Sequence, residues 1–334
     1  MLASLAMLAS FTMQGACAFT NKQKNFMPIY TGSSKHLGGT ENIAQKQTVY
    51  YGLVQKNVLV TGAGGQLGKA LQQLEKGMNS PFRFIFTDSD TLDITDSAQV
   101  QYFVQENAIQ YIVNCAAYTA VDKAETDVDR AYAVNSTGPE NLAKSGAKII
   151  HISTDYVFDG TANKPYDEEA PVNPLSVYGK SKLQGEEAIK KYAKDWIIIR
   201  TSWLYSEFGN NFVKTMLRLM NERDELNIVS DQHGTPTYAA DLAEMILVIL
   251  EADEWKSGIY HFSNLGETTW FGFTKKIQEL TGNTRCRLNP IATSEYKTAA
   301  SRPLYSVLDK SKIQSAFHVV IPQWEDGLER CLKK

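Results

Sequence analysis

Three side chains have the types and spacing for proton transfer at a carbonyl: Thr154, Tyr178 and Lys182. Tyr178 and Lys182 stand four apart in Tyr178-Gly179-Lys180-Ser181-Lys182, which opens a helical stretch, so they share one helix face. A phenol titrates near pH ~10, too high for ready exchange at neutral pH. An ammonium one turn away favours phenolate and lowers that value, as does positive charge on an oxidised nicotinamide. Thr154 closes an apolar run, where its hydroxyl can meet the same carbonyl oxygen. The chemistry such a trio could serve is hydride reduction of a ketone. Tyr178 would donate the proton, Lys182 would lower its pKa and hold the nicotinamide ribose, and Thr154 would bind the carbonyl oxygen. In isolation a Y-x-x-x-K pair reads as an exposed helical pair, and the surrounding elements change the odds.

The first of those elements is Lys56 to Gly68, KNVLVTGAGGQLG, a β-branched apolar run that stops in a glycine turn and resumes as a helix near Gln66. Asn57-Val58-Leu59-Val60 reads as a buried parallel strand. Gly62 permits a tight turn, Gly65 lets backbone approach a pyrophosphate, and Gly68 allows close helix packing. The helix N-terminus, with Gln66 and Leu67, would aim free N–H groups at that phosphate. The spacing G-x-x-G-x-x-G displaces one glycine from the usual dinucleotide fingerprint. Asp88 closes the next apolar run, Phe82 to Thr87, 20 residues beyond Gly68. An acid there suits adenosine ribose hydroxyls and would repel a 2′-phosphate, so NADH should be favoured or at least accepted. As a bland alternative, Asp88 is a solvated turn residue.

Further strands are expected at Ile109 to Cys115, Ala147 to Ser153 and Asp195 to Thr201, with a helix from a cap at Thr95 or Asp96 to about Asn107. A long helical region from about Val121 to Ser145 should be interrupted near Gly138-Pro139. This alternation predicts an α/β protein: a Rossmann-type doubly wound parallel sheet. From Trp203 the rhythm becomes irregular, with helices around Asn211 to Arg223 and Tyr238 to Glu251 and strands near Leu226 to Val229 and Ile259 to Phe262. The expected division is an extension over 1–55, a dinucleotide-binding domain over 56–202, and a smaller, interleaved substrate domain over 203–334, some segments of which return to the sheet.

Composition bounds the partners. The 334 residues are 43% hydrophobic and 21% charged, with net charge −3, which offers no global attraction for nucleic acid or an anionic membrane. Cys17, Cys115, Cys286 and Cys331 form no close pairs, so neither a zinc site nor a disulfide framework is indicated. Met1 to Thr20 is apolar but has no basic residue before Lys22, unlike a signal peptide, and it is short for a membrane span. Asn21 to Gln55 is polar and without sustained periodicity and reads as a poorly structured lead-in. Because a strand that opens a nucleotide fold usually lies almost at a chain's start, residues 1 to about 53 are read as translation upstream of a misplaced start.

With these motifs in place, the chain from about Asn57 to Lys334 resembles the extended short-chain dehydrogenase/reductase superfamily and, within it, the dTDP-4-dehydrorhamnose reductase family. The glycine turn and Y-x-x-x-K mark only the superfamily. More specific are the runs Asn114 to Glu125 (NCAAYTAVDKAE), Ser153 to Gly160 (STDYVFDG), Arg200 to Tyr205 (RTSWLY), Gly209 to Phe212 (GNNF), Asp231 to Thr237 (DQHGTPT), and Arg302-Pro303 with Ser306 and Leu308.

The resemblance implies NADH- or NADPH-dependent reduction of a dTDP-4-keto sugar, with Tyr178 as donor, Lys182 as its partner and Thr154 on the carbonyl. It places Gly65, Gln66, Leu67, Asp88, Asp93, Ile94, Ala117, Tyr118 and Thr119 on the dinucleotide, and Thr154, Asp155 and Trp203 on the sugar. Asn211, Gln232 and Arg302 are further substrate-side candidates, Arg302 through its fork of donors for a diphosphate. Some relatives carry magnesium at a dimer contact built from glutamates, which have no clear counterpart here, so metal and homodimer both stay open. A cytosolic cofactor and nucleotide sugar imply the cytoplasm. Nucleotide-sugar 4,6-dehydratases carry Asp-Glu after the strand-end Thr, whereas Thr154 is followed by Asp155 and Tyr156. The 4-epimerases share the Tyr and Lys and retain NAD, and Trp203 with the 231–237 stretch favours a reductase. A regulatory subunit like that of methionine adenosyltransferase is opposed by the intact trio.

Overall fold

The structure, a computed structural model, describes residues 55–77 and 80–334. The readings made for residues 1–54 lie outside the described residues. From the glycine turn the chain runs β1 (Lys56–Thr61), α1 (Gln66–Glu75), β2 (Phe82–Thr87), α2 (Ser97–Glu106) and β3 (Ile109–Asn114). Short helices α3 (Val121–Ala124), α4 (Val128–Tyr132) and α5 (Gly138–Ala143) lead to β4 (Lys148–Thr154), α6 (Val177–Tyr192) and β5 (Trp196–Thr201). The later elements are β6 (Leu204–Tyr205), α7 (Phe212–Glu222), β7 (Glu225–Val229), β8 (His233–Gly234), β9 (Thr237–Tyr238), α8 (Ala239–Glu251) and β10 (Gly258–His261). They end with β11 (Thr268–Thr269), α9 (Trp270–Thr281), β12 (Arg287–Ile291), α10 (Ser311–Phe317) and α11 (Trp324–Leu332).

The central sheet has the order β10-β5-β4-β3-β1-β2 and is parallel at every pairing. Its strands are apolar on both faces because helices cover both. Val58, Val60, Val113, Ile150, Ile197 and Ile199 pack with α1 and α8 on one side. The intervening Leu59, Ile112, Ile149 and Ile198 pack with residues of α2, α5 and α6 on the other. Side chains that alternate along each strand thus fill two separate cores. Strand β10 and helix α8, both from the later half, complete this layer. A third apolar cluster joins Val213, Met216, Leu226, Phe273, Ile277 and Leu328 from α7, β7, α9 and α11.

The helical region after β3 is broken differently from expectation. The interruption falls between α3 and α4, and Ala133–Thr137 form a π turn that continues directly into α5 through Gly138-Pro139. Proline lacks an N–H and its ring crowds the carbonyl four residues back, here that of Asn135. The wider π turn gives that carbonyl room without ending the helix.

Helix α6, which carries Tyr178 and Lys182, is held at its N-terminus and again midway along. Ser176 caps it by accepting from Gly179 N at 3.1 Å, and the Glu125 carboxylate accepts from Val177 N at 2.8 Å. Further along, Glu186 receives Arg200 Nε at 2.9 Å and Nη2 at 2.7 Å, and also the Ser153 hydroxyl at 2.5 Å. Glu186 and Arg200 are fully buried. Removing one partner leaves the other charge buried without compensation. Glu186→Ala is therefore expected to lower the unfolding free energy by about 3–5 kcal/mol. Urea unfolding followed by circular dichroism checks this, with exposed Glu187→Ala as a control that leaves the midpoint nearly unchanged.

Candidate functional site

A cavity of about 580 Å³ opens past β1, β3 and β4, and its lining includes the glycine turn, Cys115, Ala117, Thr154, Tyr178 and Lys182. Strand order reverses between β1 and β3, which is where a doubly wound sheet forms a ligand crevice. Gly62 has φ 66°, and a Cβ there would stand 2.7 Å from Ala116 N. A Cβ on Gly68 would stand 2.5 Å from Gly62 O, so glycine alone lets strand, turn and helix close together. Gly65 precedes α1 with no side-chain cap and no acid in the first turn, which leaves the helix N–H groups unopposed. Gly65, Gln66, Leu67 and Gly68 line the cavity with that terminus. This cradle fits a dinucleotide diphosphate.

Opposite it stand Thr154 at the end of β4 and Tyr178 and Lys182 in the first turns of α6. Thr154 Oγ1 donates to Asp155 Oδ1 at 3.0 Å and accepts from Tyr156 N at 3.2 Å. The Tyr178 ring meets Tyr156 edge-on with centroids 5.4 Å apart. Burial pushes the Tyr178 phenol above its ordinary value, and a hydrogen bond with Thr154 offsets only part of this. The expected depression of Tyr178 by Lys182 is absent. Lys182 Nζ donates to the Ile152 carbonyl at 2.7 Å and lies 3.5 Å from His151 Nε2, so its charge is engaged away from the phenol. Burial pulls Lys182 itself down to about 8.

The later half closes the cavity. Trp203 has φ 48°, a strained conformation for a bulky residue, and stacks on Trp270 with centroids 3.6 Å apart. A Cβ on Gly234 would stand 2.6 Å from Trp203 Cε2, which explains the glycine in His233-Gly234-Thr235-Pro236-Thr237. A second cavity of about 730 Å³ adjoins the first and shares Phe212, Trp270 and Arg302 with it.

Not every expected residue reaches the first cavity. Ala117, Thr119, Asp155, Trp203, Asn211 and Arg302 do. Asp88, Asp93, Ile94 and Tyr118 do not line it. Asp88 and Asp93 each brace a local turn, accepting from Asp90 N and Thr95 N, and Ile94 packs in the core. Tyr118 turns away and its hydroxyl donates to Asp127 at 3.0 Å. Gln232 lines the second cavity, where it accepts from Trp270 Nε1 at 3.1 Å. Asn211 faces the glycine turn: its amide donates to Gln66 Oε1 at 2.9 Å and its Oδ1 caps α7 through Lys214 N. Arg302 already holds Asp122 at 2.6 Å and donates to the Tyr156 hydroxyl at 3.1 Å. Trp270 and Tyr156 were missed as wall residues, although Tyr156 stands within the quoted Ser153-to-Gly160 run. Among the described residues, no group of three His, Cys, Asp or Glu side chains could hold a metal ion, and no helix is long and apolar enough to cross a membrane.

A glycine-turn cradle at the reversal of a parallel sheet, facing Thr154 and a helix-borne Tyr-x-x-x-Lys, defines the extended short-chain dehydrogenase/reductase class. Within it, the model of the RmlD substrate binding domain matches residues 56–334, and the chain belongs to that family. It is 42% identical over 286 residues to the dTDP-4-dehydrorhamnose reductase of Aggregatibacter actinomycetemcomitans, covering 81% of this chain and 97% of that protein. The crystal structure of dTDP-4-dehydrorhamnose reductase from Bacillus anthracis in complex with NADP is similar at TM-score 0.80 and 43% identity, over 84% of this chain and 99% of that one. A dTDP-4-dehydrorhamnose reductase structure from Clostridium acetobutylicum is similar at TM-score 0.79 and 42% identity, over 83% and 98% of the two chains.

Asp155 supplies a test of the site's electrostatics. Its Oδ2 is buried with no partner among the described residues, and burial raises the carboxyl from 3.8 to about 6. Such a group ionises more easily unfolded than folded. Its destabilising effect is absent below about pH 4, grows as pH rises towards 6, and stays constant above. Asp155→Asn is expected to remove that loss and stabilise the fold by on the order of 2–3 kcal/mol at pH 7, read from Tm between pH 4 and 8.

Proposed function

We propose that this protein uses NADH or NADPH to reduce the C4 ketone of dTDP-4-dehydro-β-L-rhamnose to dTDP-L-rhamnose, the last step in making that activated sugar. The observation that carries the reading is one cavity with the glycine cradle on one wall and Thr154, Tyr178 and Lys182 on the other, in a chain that matches reductases of this kind over nearly their whole length. When bound, the reduced nicotinamide supplies the hydride.

The protein's own groups do the rest. Backbone N–H groups from Gly65 to Gly68 hold the dinucleotide diphosphate, with Gly62 shaping the turn. Ala117 and Thr119 flank the same crevice, while Asp88, Asp93, Ile94 and Tyr118 would serve from outside the cavity wall. Thr154 and Tyr178 direct their hydroxyls at the ketone oxygen, and Tyr178 gives it a proton. Burial keeps this phenol protonated at neutral pH, the state a donor needs. Lys182, whose nitrogen lies on the Ile152 carbonyl and not on the phenol, holds the ribose. Asp155 and Trp203 position the sugar. The adjoining cavity, with Gln232 and Arg302 on its wall, receives the nucleoside diphosphate, for which Arg302 exchanges Asp122 for phosphate oxygens. Asn211 acts on this side by holding Gln66 and the start of α7. The cytoplasm is the compartment in which cofactor and nucleotide sugar meet.

The test is loss of absorbance at the reduced-nicotinamide band with dTDP-4-dehydrorhamnose, with the product identified by chromatography. Tyr178→Phe should reduce turnover by about 10²–10⁴-fold while NADPH binding, measured by calorimetry, is kept. Undiminished turnover in that variant rejects the role of Tyr178. Tight dinucleotide binding with no oxidation by the unaltered protein rejects the reductase reading.

A further inference from the structure

Behind the cavity wall a row of buried polar side chains crosses the sheet and ends on Lys182. Thr61, Asn114 and His151 are successive cross-strand partners on β1, β3 and β4. All are almost wholly inaccessible, as is Lys182. Thr61 Oγ1 donates to Asn114 Oδ1 at 2.7 Å, Asn114 Nδ2 lies 2.9 Å from His151 Nδ1, and His151 Nε2 lies 3.5 Å from Lys182 Nζ.

Proton counting along this row couples its two ends. An ammonium can only donate, so a charged Lys182 needs His151 Nε2 as acceptor, which puts the ring proton on Nδ1. Nδ1–H then needs an oxygen, so the Asn114 amide must present Oδ1 to His151 and its nitrogen to Thr61. With the amide oriented as observed, Asn114 Nδ2 donates to Nδ1 and the ring proton sits on Nε2, which suits a neutral amine. Charge on Lys182 and orientation of Asn114 are thus two readings of one hydrogen-bonded row.

We propose that His151, supported by Asn114, is a positioning residue that sets the charge and placement of Lys182 at the cavity wall. Burial keeps the imidazole neutral, as the acceptor role requires. The other groups facing Lys182 are Glu186 on its own helix, itself held by Arg200, and the thiol of Cys115 after β3. Tyr178 lies one turn earlier, with Asp155 and Tyr156 beyond it. Of these side chains only His151 offers Lys182 a neutral acceptor within hydrogen-bond reach. The kinetic part of the inference rests on the reductase reading, and the titration of Lys182 does not.

The test follows the ε-carbon of Lys182 by NMR in cofactor-free protein labelled with 13C-lysine, the resonance being assigned by its loss in Lys182→Met. His151→Leu removes the acceptor and should lower the Lys182 midpoint by about one pH unit, moving the alkaline limb of kcat the same way. His151→Gln keeps an acceptor near the Nε2 position and should stay near the parent. Asn114→Asp can only accept from Nδ1, so it locks Nε2 as acceptor and should raise the midpoint; this variant carries the test if His151→Leu does not fold. A folded His151→Leu with an unmoved midpoint, or an Asn114→Asp midpoint that does not rise, overturns the proposal. Shifted midpoints in a protein that never oxidises NADPH would reject the reductase reading and leave the row intact.

Discussion

The buried pair of Glu186 and Arg200 is the interaction on which the site's geometry depends. Two ions removed from water cost several kcal/mol of desolvation each, and only close, multiple contacts offset it. Here the contacts are a fork of two N–H groups on one carboxylate plus the Ser153 hydroxyl, with the Arg200 guanidinium lying 5.2 Å over the Phe158 ring. The pair therefore tolerates little sliding of α6 along β4 and β5. Tyr178 and Lys182 lie on that helix, and Thr154 follows Ser153 directly on β4. A register error at Glu186 would displace the phenol from the strand-end hydroxyl by the same amount. The pair contributes orientation more than it contributes net stability.

The same logic explains why the later half of the chain is more than a cover. Gln66 on α1 is held by Asn211 and Ser206, which ties the glycine turn to the start of α7. Trp203 is kept in a strained backbone conformation because Trp270 lies flat on one side and Gly234 lies against its ring. Trp203 thereby lines the first of the two cavities, and Trp270 lines both. Arg302, shared between them, is poised between Asp122 and Tyr156, and any anion that enters competes with an existing ion pair.

The sheet was legible because burial on both faces writes continuous runs such as Val58 to Val60 and Ile197 to Ile199, and because Gly62 and Gly68 mark a turn no other residue fits. Tyr178, Lys182 and Thr154 were legible through helical spacing and a strand end. Contacts made at a distance were not. Nothing local to Ile152 or His151 reveals that they, and not Tyr178, would be the neighbours of the Lys182 nitrogen. Asp88 stands where spacing put it, yet a turn of its own absorbs the carboxylate. The break in the helices after β3 does not fall at Pro139, because a π turn accommodates a residue that otherwise stops a helix. Helix α9 and strand β12 escaped notice because β12 pairs with β7 across a long connection, and half-buried two-strand ribbons carry little periodicity.

Burial of Tyr178 bears on the direction of the chemistry. A phenol held protonated is a poor base in an oxidation but a ready donor to an oxygen that is gaining electrons. Thr154 donates its own proton to Asp155 and accepts from Tyr156 N. To serve the ketone of the proposed reaction, its hydroxyl must turn from Asp155 to the substrate oxygen. Burial raises the Asp155 carboxyl from 3.8 to about 6, and as it ionises it becomes the stronger acceptor for that hydroxyl and so a competitor of the ketone in the proposed reaction. In the proposed reduction the phenol is therefore the group whose proton burial holds ready, while Thr154 reaches the ketone by exchanging one acceptor for another.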